Sequence, residues 1–148
     1  MNTKSMFYLE IIGKSHETFK DYLSHISEDI LDWKFHEHTV TARWIISHVI
    51  KDQKWFVNLI LDKKGRSKDY KNFKKLEIEK IIAIFDEAMQ ENITQLQNIS
   101  DEDLNEIKEL KGYPMKVEDL LFEYINHLSH HGGQLAQIMN AWKREQRA

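Results

Sequence analysis

The feature that most constrains the fold of this chain is a helical spacing of apolar residues that almost nothing interrupts. Among 148 residues there are one proline and five glycines, and alternating strand patterns are scarce. The clearest repeat places six apolar side chains on one helical face: Ile78, Ile81, Ile82, Phe85, Met89 and Ile93. A stripe with this period is typical of an amphipathic helix, so the sequence predicts an all-α fold.

The same spacing predicts four long helices of about 20 residues each, a set typical of a four-helix bundle. Thr39 or Thr41 is expected to cap the second helix. The expected bounds are about Lys4 to Ile26, Thr39 or Thr41 to Leu61, Leu76 to Gln97, and Val117 to Lys143. Two connectors exceed about a dozen residues, a length that permits a crossover, so simple up-and-down connectivity does not follow.

Composition excludes several classes of function. The chain has no cysteine, which rules out disulfides, thiolate nucleophiles and cysteine-ligated metal sites. Its net charge of -3 gives no argument for a nucleic-acid or membrane partner. No apolar run approaches the roughly 20 residues of a spanning helix, and no signal-peptide core follows Met1. We therefore expect a soluble cytoplasmic protein with a small-molecule substrate.

Histidines are the candidate metal ligands, since the chain has no cysteine. His127 and His131 lie one turn apart in the last helix, on the face that carries Tyr124 and Leu135, so both rings can converge on one ion. Neutral imidazole suits zinc or nickel. Two ligands are too few for a tight site. His48, in the middle of the second helix, is the natural third ligand.

Three histidine ligands would leave at least one coordination position open, the pattern of catalytic rather than structural ions. The competing interpretation is three histidines that each satisfy a local hydrogen bond in the core of the bundle. From spacing alone this second interpretation is favoured, because short motifs match often by chance.

A string in the last helix resembles a known family signature. It reads His127-Leu-Ser-His130-His131-Gly132-Gly133-Gln134 and is similar to the His-x-x-His-His-x-Gly-Gln run of the DinB/YfiT-like proteins. Trp44 and His48 also resemble that family's Trp-x-x-x-His element, and the similarity covers nearly the whole chain. The sequence departs from the family at Leu128, where an acidic residue is common, and at Gly132, where arginine is frequent.

The resemblance implies one DinB-like domain over residues 1–148, a four-helix bundle in a variant of up-and-down topology. It also implies a three-histidine metal site, which maps onto His48, His127 and His131. Members with known activity resemble transferases or isomerases that depend on low-molecular-weight thiols. A homodimer is implied as well, and the apolar residues Phe7, Leu9 and Val57 favour it weakly.

Three further residues are candidates for roles around the ion. His130 lies about 100° round the helix from His131; it is either a substrate contact or, as we favour, a hydrogen-bonding residue between helices. Gln134 either orients a ligating histidine or joins two helices. Asp52, one turn from His48, is either a general base or, more often for such a residue, a solvated side chain.

Two other features need an explanation. Gly132 and Gly133 each cost about 1 kcal/mol in a helix relative to alanine, which predicts close approach of a neighbouring helix or of substrate. The segment Lys63 to Lys75 has seven basic residues and one acid, with Tyr70 and Phe73 between them. It could bind phosphate, nucleic acid or an anionic thiol, although a solvated loop is the favoured interpretation.

Together these features predict a metal-dependent enzyme. A divalent ion on three histidines would activate water or a low-molecular-weight thiol for transfer or hydrolysis. Two alternatives stay open. One is a module that binds metal or ligand without turnover, and the other is a stress-response, DNA-damage-associated protein whose basic segment contacts nucleic acid.

Overall fold

The structure is a computed structural model that describes residues 3–64 and 70–148. Four long helices form a bundle, as the apolar spacing predicts. The elements are α1 (Lys4–Ser24), a short α2 (Glu28–Leu31), α3 (Ala42–Ile60), α4 (Ile78–Leu96), β1 (Ile107–Leu110), β2 (Tyr113–Lys116) and α5 (Val117–Arg147), with 3-10 turns at Phe73–Lys75 and Asp103–Asn105. Helix α5 continues one turn beyond its expected end near Lys143, and the other long helices end within two residues of expectation.

Side-chain oxygens cap the first turns of α1 and α3. Thr41 is the N-cap of α3, because its Oγ1 accepts a hydrogen bond of 3.1 Å from the backbone N–H of Trp44. Thr39 instead donates to the carbonyl oxygen of His36. At the start of α1, the Asp101 carboxylate accepts a 2.8 Å hydrogen bond from the backbone of Ser5. These acceptors satisfy N–H groups that a helix leaves free at its first turn.

The order of the helices around the bundle differs from a simple up-and-down arrangement. Both α1 and α3 pack mainly against α4 and α5. Consecutive helices α1 and α3 therefore lie diagonally, as do α4 and α5, whereas a simple bundle makes consecutive helices neighbours. The connectors at residues 25–41 and 97–116 span these diagonals and carry crossovers, whereas the long connector at 61–77 joins the neighbouring helices α3 and α4.

A β-hairpin occupies part of the connector before α5. Strands β1 and β2 are antiparallel, and Leu110 pairs with Tyr113. Lys111 and Gly112 form the turn with positive φ angles of 51° and 84°, as a two-residue hairpin turn of this hand requires. The apolar spacing of the sequence does not predict this hairpin. Strands of four residues are too short to show a clear alternating pattern.

Polar side chains interrupt the core next to Tyr124 of α5. His16 and Asn92 are both buried, on α1 and α4. The Tyr124 hydroxyl lies 2.6 Å from Nε2 of His16, and the Asn92 amide donates to it over 3.2 Å. Burial lowers the pKa of His16 to about 4, so its ring is neutral at pH 7. Three helices thus meet at one hydroxyl in the interior.

The two adjacent glycines of α5 have different surroundings. A Cβ on Gly132 would lie 3.0 Å from Cδ2 of Tyr22, so α1 does approach closely there. A Cβ on Gly133 would meet nothing within 4 Å, and the residue is exposed. The expected close approach is therefore correct for Gly132 and wrong for Gly133. No described contact explains why residue 133 is a glycine.

The apolar residues expected at a dimer contact are less exposed than predicted. Val57 is fully buried and Leu9 is partly buried against the core, so of the three apolar residues proposed for a dimer contact Phe7 alone is strongly exposed. The homodimer stays a prediction.

Within residues 3–64 and 70–148, no helix combines the length and the apolar character that crossing a membrane would need.

The glycine pair yields a test of the packing. We expect Gly133→Ala to raise the free energy of unfolding by about 1 kcal/mol, since alanine favours a helix and meets no contact. Gly132→Ala should give no such gain, because its methyl group meets the Tyr22 ring. Urea unfolding followed by circular dichroism measures both variants. An equal gain in the two would show that α1 does not pack closely at Gly132.

Candidate metal centre

Three histidines meet where α3 packs against α5. His48 comes from the middle of α3, and His127 and His131 from successive turns of α5. One nitrogen from each ring lies within 4.8 Å of the other two, and the two Nε2 atoms of α5 are 3.1 Å apart. A tetrahedral ion with bonds of 2.0–2.1 Å holds its ligands about 3.3–3.4 Å apart. The cluster therefore has the size of a site for one ion.

Gln53 of α3 fixes the orientation and the tautomer of His127. Its side chain is fully buried. The Gln53 Nε2 donates to the backbone oxygen of Tyr124 over 2.9 Å, so its Oε1 is the atom that lies 2.8 Å from His127 Nδ1. An amide oxygen accepts and never donates, so Nδ1 of His127 carries the proton. Its Nε2 lone pair is then directed into the cluster.

Gln134 makes the equivalent contact to His131. Nδ1 of His131 donates to the Gln134 Oε1 over 2.6 Å. Both residues belong to α5, so the role of orienting a histidine matches the structure and the alternative of joining two helices does not. Metal-binding histidines generally donate their second N–H to such an acceptor.

The hydrogen bonds to the two amide oxygens leave two nitrogen lone pairs close together in the cluster, which is electrostatically unfavourable. With both Nδ1 atoms protonated, the Nε2 atoms of His127 and His131 face each other at 3.1 Å without a proton on either. Two lone pairs at that distance repel each other unless a proton or a cation lies between them. The donor set therefore fits a divalent metal ion that prefers imidazole nitrogen.

The protonation state of these rings agrees with that role. Burial lowers the pKa of His127 to about 4, and the adjacent His131 lowers it further while Asp52 opposes the shift. Burial also lowers the pKa of His131, and the hydrogen bond to Gln134 opposes it. Both rings are neutral at pH 7. Neutral imidazole is the form that binds a metal ion.

Asp52 lies at the cluster. Its Oδ2 is 3.1 Å from Nε2 of His48 and 3.3 Å from Nε2 of His127. The interpretation of Asp52 as a purely solvated side chain is therefore wrong. Its carboxylate adds a negative charge beside the three nitrogens, where it can ligate a cation or accept a proton from a molecule bound there.

Two aromatic contacts surround the cluster. The Trp44 ring stacks on His48 with centroids 4.8 Å apart and an angle of 12° between the planes, which holds the imidazole against rotation. His130 is exposed, and its ring contacts the edge of His131 at a centroid distance of 5.0 Å. The hydrogen bond between helices that we expected of His130 is not found among the described residues. It remains a candidate for a substrate contact.

A cavity of about 940 Å³ opens beside His48. One wall is α3, and the other comes from residues 70–75, the end of the basic segment. Tyr70 and Phe73 pack against the core, whereas the other four residues of this part are exposed, so the expected solvated loop is wrong only for the two aromatic residues. Residues 65–69 of the same segment lie outside the described residues.

Comparison with known proteins agrees with this geometry. Residues 12–135 match the model of the DinB superfamily. The chain belongs to the DinB superfamily. That membership confirms the family that the histidine string resembles. No curated protein matches this superfamily member in sequence.

Solved structures share the fold of this DinB superfamily chain. A DinB-like protein from Bacillus cereus has a TM-score of 0.77 at 22% identity, over 90% of this chain and 89% of that one. YfiT from Bacillus subtilis, described as a probable metal-dependent hydrolase with an unusual four-helix bundle topology, has a TM-score of 0.72 at 13% identity, over 97% and 91%. The mycothiol-dependent maleylpyruvate isomerase has a TM-score of 0.72 at 11% identity; the match covers 90% of this chain and 61% of the isomerase.

Sequence reasoning missed Gln53, although the sequence contains a signal for it. Gln53 falls on the apolar stripe of α3, four residues after Val49 and three before Phe56. A polar residue on a buried face must find a hydrogen-bond partner. His16 interrupts the stripe of α1 in the same way. The cavity had no such signal, because its walls come from separate elements.

The Gln53 contact leads to a test of metal affinity. We expect Gln53→Ala to weaken zinc binding by about 10- to 100-fold, since partners that orient a ligating histidine contribute on that scale. Gln53→Met, which keeps the volume of the side chain, should weaken it similarly. Chelator competition measures the dissociation constants. The exposed Gln90→Ala on α4 is the control, and unchanged affinity in both Gln53 variants would contradict the role.

Proposed function

We propose that this chain is a metal-dependent enzyme with one divalent ion, zinc or nickel, on His48, His127 and His131. The observation that carries the proposal is that Nε2 of His127 and Nε2 of His131 lie 3.1 Å apart while each Nδ1 atom faces an amide oxygen, of Gln53 and of Gln134. The nearby carboxylate of Asp52 supports it, because it favours positive charge at the same point.

An ion held by these three histidines would act as a Lewis acid and would lower the pKa of a water or thiol. Three neutral histidines leave the charge of the ion undiminished. Oδ2 of Asp52 is positioned to take up the proton that the nucleophile releases. Trp44 holds the His48 ring in place, and the cavity beside His48 admits the substrate.

The proposed reaction is transfer or hydrolysis. The chain has no cysteine, so a sulfur nucleophile must come from a low-molecular-weight thiol. YfiT is described as a probable metal-dependent hydrolase, and another protein of this fold as a mycothiol-dependent isomerase. These descriptions support water and a thiol as the two candidate nucleophiles.

One observation favours a second function, a metal- or ligand-binding module without turnover. If Asp52 ligates the ion together with the three histidines, all four positions of a tetrahedral site are taken by the protein. Closed sites of that kind are structural rather than catalytic. The role of Asp52 therefore separates the two functions.

The metal site is tested by the ion content of protein purified without an affinity tag. We expect one ion per chain, and its loss when His48, His127 or His131 is replaced by alanine. His130→Ala should keep the ion, because that ring lies outside the cluster. Equal loss in His130→Ala, or full retention in His48→Ala, would contradict the assignment.

Turnover and Asp52→Asn then decide between enzyme and module. Metal-loaded protein is assayed with glutathione, bacillithiol and mycothiol against electrophilic acceptors, and with water alone. The enzyme predicts activity that is lost in His131→Ala, and an Asp52→Asn variant that keeps its ion while losing rate. An ion that Asp52→Asn releases, together with tight ligand binding and no turnover, favours the module. Activity unchanged by metal removal would contradict both the ion and the mechanism.

A further inference from the structure

The cavity beside His48 has an unbalanced positive charge. Arg43 and Asp32 on its wall form a two-pronged ion pair, with distances of 2.8 and 2.9 Å, and neutralise each other. Lys51, Lys74 and Lys75 also line the cavity. Among the described residues, none of the three lysines has an ion-pair partner. The described residues of the wall therefore include three lysines without an ion-pair partner, in a chain of net charge -3.

The backbone at these three lysines is fixed by the surrounding structure. Lys51 is on α3, one turn after His48. Lys74 and Lys75 belong to the 3-10 turn at Phe73–Lys75. Arg43 Nη1 donates to the backbone oxygens of Phe73 and Leu76 over 2.8 and 2.7 Å, which fixes that turn against α3. The backbone positions of the three lysines are thus fixed around one space, and their side chains are exposed there.

Three aromatic side chains also line the cavity, beside the polar residues Thr41, Ser47 and Asn72. Trp44, Tyr70 and Phe73 contribute to it, and the half-exposed Trp44 ring is also the one stacked on His48. A volume of about 940 Å³ lies within the range of small-molecule sites, roughly 300–1,000 Å³. The cavity combines room for a metabolite, an aromatic wall and a cluster of positive charge.

We propose that this cavity binds an anionic small molecule that carries at least two carboxylate or phosphate groups, which contact Lys51, Lys74 and Lys75. The reactive end of that molecule lies toward His48. This proposal names the substrate class of the proposed metal site and rests on that function for the reaction, but anion binding itself requires no metal. The two claims can therefore fail separately.

The test uses metal-free full-length protein, so that an anion cannot bind through the ion. Isothermal titration at 0.15 M salt measures the affinity for tricarballylate and for inorganic pyrophosphate, with tricarballylamide as the uncharged control compound. We expect wild-type protein to bind at least one of the two anions and to ignore the amide. Preference for tricarballylate indicates a carboxylate ligand, and preference for pyrophosphate indicates a phosphate ligand.

A matched pair of triple variants locates the binding. Replacing Lys51, Lys74 and Lys75 by glutamine should weaken anion binding by about fivefold per lysine, the loss of one close charge contact in water. Replacing Lys63, Lys64 and Lys71 changes net charge equally at described positions outside the cavity lining. That control should weaken binding by less than about threefold, because salt screens distant charges.

The outcomes separate the two proposals. Equal weakening in both triple variants, or no binding of either anion by wild-type protein, overturns the cavity proposal and leaves the metal site untouched. Both triple variants should keep one zinc ion per chain when loaded. A wild-type protein that binds the anions through the three cavity lysines but takes up no metal supports the cavity proposal and refutes the proposed metal site.

Discussion

The side-chain amide of Gln53 is the contact on which the candidate site depends. One end of it donates to the backbone of Tyr124, and the other accepts from His127, so a single buried group joins α3 to α5 and sets the tautomer of a histidine. A buried amide must satisfy both ends, since an unpaired polar group in the interior costs free energy. The Gln53 amide therefore fixes both the packing of α3 against α5 and the direction of the Nε2 lone pair of His127.

That fixed direction creates a local instability that a cation relieves. The lone pairs of His127 and His131 converge, and burial keeps both rings unprotonated at pH 7. A core without function would tend to avoid this arrangement, because a hydrogen bond between the rings needs one of them to change tautomer. Asp52 adds a negative charge on the same side. The interior thus favours positive charge at one point, whereas the cavity wall of lysines favours negative charge a short distance away.

The features predicted from sequence were those set by local repetition. Helices α1, α3, α4 and α5 follow from apolar spacing, and the i, i+4 spacing brings His127 and His131 together whatever the rest of the fold does. His48 was the natural third ligand from its place in the middle of the second helix, and the family resemblance supported it, but no local rule says which residue of another helix faces them.

Features that depend on contacts between distant segments were missed or misjudged. The hairpin at β1 and β2 is too short to show a period. The role of Asp52 depends on the approach of His127 from α5, and the cavity depends on Arg43 fixing the turn after Asn72 against α3. His130 was expected between helices, yet it lies exposed on α5. Contacts between distant segments cannot be predicted from the spacing of residues within one segment.

The central claim is that three imidazole nitrogens bind one ion, and X-ray absorption at the zinc edge tests it most directly. Protein loaded with one equivalent of zinc should show about three nitrogen neighbours at 2.0–2.1 Å with the outer-shell scattering that imidazole rings produce. One further oxygen neighbour is expected. A shell of oxygen atoms alone, or fewer than two imidazole rings at the ion, would contradict the account.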